Sequence, residues 1–277
     1  MGRSRTTWGS LDTRTANDIS LKAMEKLRQL NKANDIIGSY VFTILEQHST
    51  LILYPFTNID IWGFMTTYES RVFSCINTSI SLEQQVFVAA HELYHIWFNG
   101  VEELVKAQED SSKAETSLPL NEQKANRFAA EFLVPESLLK MEISAIKIDA
   151  QSIGIKEIVR LANSFTVPYR MMVKRLNEIN LITRTAADVL LNNSPTTIDQ
   201  WRVRLGYEPY KPTRSMRMGD LPDLAMEAFE QGLISKDRLE YLIELAGLEV
   251  EQVGISLTAE QPLFQGDDSH KGEEQGS

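Results

Sequence analysis

A single cysteine, Cys75, stands among 277 residues, so no intrachain disulfide can staple this chain. Basic residues are the minority. With 28 Lys and Arg against 38 Asp and Glu, the formal net charge is −10, which argues against broad nucleic-acid binding through surface charge. No apolar run is long enough to span a bilayer and the N-terminus lacks a signal-peptide core, so a cytoplasmic protein is expected. The sequence has neither an internal repeat nor a cofactor-binding glycine loop. Histidine is scarce too, at four in the chain, yet two of the four fall within five residues.

Those residues are His91-Glu92-Leu93-Tyr94-His95, an H-E-x-x-H motif. Histidines at i and i+4 stand one turn apart on a helix, where both imidazoles reach one zinc ion. Glu92 projects beside them, placed to take a proton from an attacking water. The surrounding helix is readable. Ser81 and Gln84 form a capping box at its start, and Asn99-Gly100 supplies its stop. Leu82, Val86, Ala89, Leu93 and Ile96 recur at steps of four and three, which predicts a core-facing stripe. His91 and His95 lie about 200° around from Leu93, so they are expected to face a cleft.

Two ligands do not hold a catalytic zinc, and a third must lie downstream. The acidic candidates are Glu102, Glu103, Glu109, Asp110, Glu115, Glu122 and Glu131. Residues 101–118 are polar and poorly periodic and read as a solvated loop or frayed helix. Residues 121–135 read as a helix ended by Pro135. On it Glu122 shares a face with Ala125, Asn126, Ala129 and Leu133, whereas Glu131 neighbours Lys124 and Arg127 on a charged face. A carboxylate on a buried face needs a partner or a metal, which favours Glu122 as the ligand and leaves Glu131 to surface ion pairs. Asn126, one turn beyond Glu122, is placed to accept the second N–H of a ligating histidine.

His91-Glu92-x-x-His95, followed by Glu122-x-x-Ala125-Asn126-x-Phe128-Ala129 and Leu133-x-Pro135, resembles the ImmA/IrrE family of bacterial and phage metallopeptidases. The resemblance runs over roughly residues 35–185. It includes a short strand, Arg71 to Asn77, ending in an Ile-Asn pair, then Phe165-Thr166-Val167-Pro168 and Val173-x-Arg175-Leu176. Two positions depart from it: many members have glycine where Tyr94 stands and an acid where Lys124 stands. Tyr94 puts a bulky ring on the metal helix that would narrow the cleft. The resemblance implies one Zn(2+) per chain and a regulatory endopeptidase that cleaves or inactivates a DNA-bound repressor of the helix-turn-helix type.

The fold expected is α+β. It comprises a minimal zincin-like domain, with a short antiparallel sheet packed on the H-E-x-x-H helix and further helices, and a small helical C-terminal appendage. Residues 1–15 read as a flexible arm and 16–191 as the metallopeptidase domain with its following helical segment. Within it, helices are expected near 18–32, 35–47, 155–164 and 168–180, and strands at Leu51 to Tyr54, Asp60 to Thr67 and Arg71 to Asn77. Residues 192–218 contain three prolines and several basic residues and read as a linker. Residues 219–257 read as an acidic helical appendage, with helices Leu221–Gln231 and Ser235–Ala246 parted by Gly232, and 258–277 as a disordered tail. Residues 219–277 hold three bases against fourteen acids, a balance of −11 that suits protein binding better than DNA binding. Truncation after Leu191 is therefore expected to spare metal binding.

Three functions fit these residues. The first is a zinc endopeptidase in which Glu92 assists a zinc-activated water. The second is a zinc-stabilised anti-repressor that sequesters its target without cleavage. The third is a DNA-binding regulator using helices 158–180, where Ile158–Ser164 and Pro168–Asn180 outline a helix-turn-helix with Arg170, Lys174 and Arg175 on its second member. The presence of Glu92 favours the first over the second, and the acidic balance counts against the third. Cys75 shares a strand side with Phe73, a packing position. The oxyanion-stabilising residue and the substrate's identity cannot be read from the chain.

Overall fold

The computed structural model describes residues 11–69, 71–99, 119–149 and 152–249. The chain divides into two units, Met1–Gly219 and Asp220–Ser277. The first opens with α1 (Thr13–Gln29), whose Ile19, Ala23 and Leu27 recur every four residues and are buried. Asp12 caps it, its carboxylate accepting from the Thr15 amide at 3.0 Å. The helix thus begins inside the segment read as an arm; residues 1–10 lie outside the described residues, as do the stretches 101–118 and 258–277.

After α2 (Tyr40–Glu46) come β1 (Thr50–Tyr54), β2 (Gly63–Tyr68) and β3 (Arg71–Asn77). They form a sheet in the order β2-β3-β1-β4, the last strand being Arg217–Met218. The expected antiparallel sheet is in fact mixed. Residues 55–62 carry the chain past the place of β3 before β2 runs back, so β3 returns between them, parallel to β1 and antiparallel to β2. The reversal uses Glu69 at φ 45°, a left-handed residue in a tight turn. Leu51, Met65 and Ile76 are buried on the sheet face that meets α3 (Leu82–Phe98).

The H-E-x-x-H helix α3 starts where the sequence says it should. Ser81 accepts from the Gln84 amide while the Gln84 side chain accepts from the Ser81 amide, a complete capping box. Its stripe is broader than expected: Leu82 is exposed, whereas Val86, Val88, Ala89, Ala90, Leu93 and Tyr94 are all buried. The cause is packing on two sides, by the sheet and α2 on one and by α4 (Leu120–Leu133) on the other. Alanines 125 and 129 let α4 approach closely, and Trp97, Phe98, Phe128 and Phe132 pack ring against ring beyond them. The Tyr94 ring joins that group, 5.3 Å from Phe98 and 5.6 Å from Phe128, and is buried in the core.

Helices α5 (Glu136–Ala145), α6 (Ile155–Phe165), α7 (Tyr169–Glu178) and α8 (Arg184–Leu191) complete the helical side. The helix-turn-helix outline of α6 and α7 offers no open reading face. Met171, Met172, Val173 and Leu176 are buried, Arg170 donates to the Leu191 carbonyl at 2.7 Å, and Arg175 is 1% exposed. Arg175 instead binds Glu131, which overturns the reading of Glu131 as a surface acid. Glu131 is buried, taking hydrogen bonds from Arg127, from Ser20 at 2.7 Å and from both terminal nitrogens of Arg175. Glu178 closes the network against Arg127 at 3.0 Å. Glu131 faces its partner from a helix 44 residues downstream, so local spacing around Lys124 and Arg127 could not show it.

Residues 192–218, read as a linker, hold α9 (Pro195–Arg204) and β4, and Ile198 and Arg202 are buried. Pro195 follows the Ser194 cap in the first turn of α9, where a missing N–H leaves no bond unmade. In the second unit α10 (Leu221–Glu230) and α11 (Lys236–Leu245) close on Ala225, Leu239 and Ile243, with Ser235 capping α11. Among the described residues no helix is long and apolar enough to cross a membrane.

Candidate metal centre

Helix α3 presents His91 and His95, and the first turn of α4 presents Glu122. His91 Nε2 lies 3.1 Å from His95 Nε2 and 3.2 Å from Glu122 Oε2, and His95 Nε2 lies 3.4 Å from Glu122 Oε1. Ligands at about 2.0–2.1 Å in a tetrahedron are separated by about 3.3 Å, so the three side chains already define one face of a metal polyhedron. Among the described residues this is the one group of three or more His, Cys, Asp or Glu side chains with such convergence. The two histidine side chains are 14% and 8% exposed, against 42% for Glu122.

Asn126 sits where the sequence puts it, its Oδ1 at 3.0 Å from His91 Nδ1. An amide oxygen there accepts from Nδ1–H, which leaves Nε2 with its lone pair toward Glu122 and His95. Glu92 is buried beside the pair, 7% exposed. Burial pushes its carboxyl above the usual carboxylate range, the two imidazoles opposing and Glu122 assisting. A carboxylate raised in this way is a stronger proton acceptor near neutral pH. For Glu122, burial acts upward, yet the contacts with His91 and His95 prevail and hold its carboxyl well below the usual range. His91 shows the converse: burial acts downward, but Glu122, Glu92 and Asn126 raise it overall. Both shifts describe one carboxylate facing two imidazoles, a charge arrangement that a divalent cation would replace.

The structure gives roles to two residues for which the sequence offered none. Asn77 is fully buried at the end of β3. It accepts from the amides of Phe56 at 3.0 Å and Ser79 at 2.8 Å and donates to the carbonyls of Asn58 at 3.2 Å and Ile61 at 2.7 Å. Three of its four side-chain hydrogen bonds thus hold the loop that leads to Gly63, and the fourth holds the turn after β3. There the chain passes against α3: an added Cβ would lie 2.5 Å from Val88 Cγ1, 3.0 Å from the Cys75 carbonyl and 3.8 Å from Glu92 Oε1. The start of β2 is therefore within reach of the Glu92 carboxyl only because residue 63 has no side chain. Gly63→Ala is expected to cost about 1–3 kcal/mol from overpacking, measured by urea unfolding; an unchanged midpoint would show that α3 and β2 yield freely. Cys75 plays no part in this chemistry, since burial, with Glu92 adding, pushes its thiol up to about 11.

A histidine pair with a glutamate on one helix, an acidic side chain converging on the pair from a following helix and a small sheet packed on that helix together define a metallopeptidase-like protein. Residues 45–177, just under half of the chain, match the IrrE N-terminal-like domain of the Peptidase_M78 family, which supports an ImmA/IrrE-family protein. No curated protein matches the chain. Among solved structures, a Mycobacterium tuberculosis transcriptional regulator is 14% identical, with a TM-score of 0.41. The match covers 62% of this chain and 51% of that one, so this chain spans about half the regulator's length.

Proposed function

We propose that this chain is a zinc-dependent endopeptidase of the cytoplasm that cleaves a regulatory protein, a repressor of the helix-turn-helix type. The observation carrying the reading is the meeting of His91, His95 and Glu122 at 3.1–3.4 Å with a buried Glu92 beside them. Two imidazoles and a carboxylate, with the remaining position open, are the donor set of catalytic zinc sites. A purely structural zinc has no use for a buried carboxylate next to its ligands, which favours cleavage over sequestration. The repressor class rests on the family resemblance alone.

When bound, zinc would polarise the scissile carbonyl and acidify the attacking water. Glu92 accepts the water's proton and later returns it to the leaving amine. Asn126 keeps the His91 ring turned toward the site. The edge of β2, unpaired among the described residues and beginning beside Glu92, is suited to pair with an extended substrate segment.

The test is metal content. Purified chain is expected to hold about one zinc, and His91→Ala, His95→Ala or Glu122→Ala should each remove most of it, because three protein ligands carry such a site. Full occupancy of Glu122→Ala in atomic absorption would mean the third ligand lies elsewhere.

A further inference from the structure

We infer that the stretch from α9 to Gly219 is a clamp on the metal-carrying helix, with Arg202 as the residue that positions α3 through Glu83. The inference builds on the metal centre proposed above. It concerns residues beyond the family-matched stretch, which ends at 177.

Glu83 lies in the first turn of α3, on the same rigid rod as His91 and about 12 Å from it along the axis. It is buried, and Arg202 meets it at 3.0 Å (Nη2 to Oε1). Arg202 is itself immobilised: it is 4% exposed, donates from Nε to the Glu208 carbonyl at 2.6 Å and lies over the Tyr210 ring at 4.0 Å. A guanidinium held on a ring face and in a fork of hydrogen bonds gives a fixed direction, which a flexible ammonium would not.

The chain then runs across the start of the helix. Pro212 bridges to Ser81, Thr213 Oγ1 accepts from Gln85 Nε2 at 3.0 Å, the Arg214 amide donates to the Thr78 carbonyl at 2.9 Å, and Thr78 Oγ1 donates to the Ser215 carbonyl at 2.8 Å. Arg214 adopts φ 50°, an uncommon left-handed conformation for a residue with a side chain. Met218 and Arg217 next add β4 to β1, and Arg217 pairs with Glu46 at 2.6 Å. The clamp closes at Gly219, φ 54°, where a Cβ would fall 2.4 Å from Thr50 Cγ2.

One segment thus grips both α3, which bears two ligands and the base, and β1, the strand beside β3. Glu122 arrives on a different helix, so the fit of the three ligands depends on how α3 is set, and metal sites are sensitive to misplacements well under 1 Å. The inference predicts, against the expectation read from the sequence, that truncation after Leu191 weakens metal binding, since that cut removes Arg202 and the rest of the clamp.

The experiment measures zinc Kd by chelator competition, and thermal unfolding, in full-length wild type, Arg202→Lys and Glu83→Gln/Arg202→Gln. The double variant removes both charges together, so no lone charge stays buried and the fold is expected to persist. Its zinc Kd should weaken at least about tenfold, the scale of residues that orient ligands from outside the coordination sphere, with Arg202→Lys recovering part. If the double variant does not fold, Thr213→Val cuts only the hydroxyl contact to Gln85 and should weaken zinc about threefold, the worth of one such bond. A folded double variant, or Thr213→Val, with wild-type zinc Kd overturns the clamp and leaves Arg202 a stability residue only. Wild type that binds no zinc overturns the metal centre itself, a separate outcome.

Discussion

Glu92→Gln is expected to lower peptide hydrolysis by at least about 10²-fold while the fold and the metal site survive. The substitution is isosteric and removes only the group that accepts and returns the proton, a loss of that size for general acid–base catalysis. His91, His95 and Glu122 keep their contacts, so zinc content should match wild type. Because burial already raises the Glu92 carboxyl, replacing it by a neutral amide should leave metal-free stability unchanged or higher. Cleavage of a mixed-sequence peptide library, read by mass spectrometry, measures the first effect, and melting temperature the second. Undiminished cleavage by Glu92→Gln would remove Glu92 from the chemistry and direct attention to sequestration.

Arg175→Met is expected to destabilise the first unit by about 3–5 kcal/mol at neutral pH, the usual cost of leaving buried charges without their partner. Arg175 is 1% exposed and donates to Glu131, to Glu178 at 3.3 Å and to the Val134 carbonyl at 2.9 Å. It joins α7 to α4, the helix that supplies Glu122. The effect has a sign in pH. Burial raises the Glu178 carboxyl despite Arg127 and Arg175. A carboxyl raised in the folded state favours the fold below its unfolded pKa, and that contribution is lost as pH rises through the folded value. Losing Arg175 lifts Glu178 further, so the penalty should be largest at about pH 8 and shrink toward about pH 5 as that carboxyl takes up a proton. Urea unfolding at the two values decides it; a penalty below about 1 kcal/mol, or one that ignores pH, would show that water reaches these acids.

What the sequence made legible was whatever its local period encodes. The capping box at Ser81, the burial of Leu93 and the spacing of His91 and His95 follow from geometry within one helix. Glu122 and Asn126 were within reach because they share a helical face one turn apart. Spacing alone contrasts Glu122 with a surface Glu131, whereas in the fold Glu131 is buried as well. Its partner Arg175 lies on another helix, and no pattern around Glu131 signals a pairing across 44 residues. The same limit hid Arg202 behind a proline-rich, basic stretch whose composition suggests a linker. It hid Gly63 as well, where the absence of a side chain matters only once the sheet lies on α3. The parallel pairing of β1 with β3 was likewise a matter of chain routing, which strand periodicity does not carry.

The central claim is that a zinc held by His91, His95 and Glu122 is needed for the cleavage that Glu92 assists. It is tested most directly by stripping wild-type chain with a chelator and titrating zinc back while following hydrolysis of the same peptide library. The account predicts no hydrolysis without metal, recovery complete at about one zinc per chain, and no recovery in Glu92→Gln loaded to the same content. Hydrolysis that persists in metal-free chain, or that returns equally in Glu92→Gln, would contradict it.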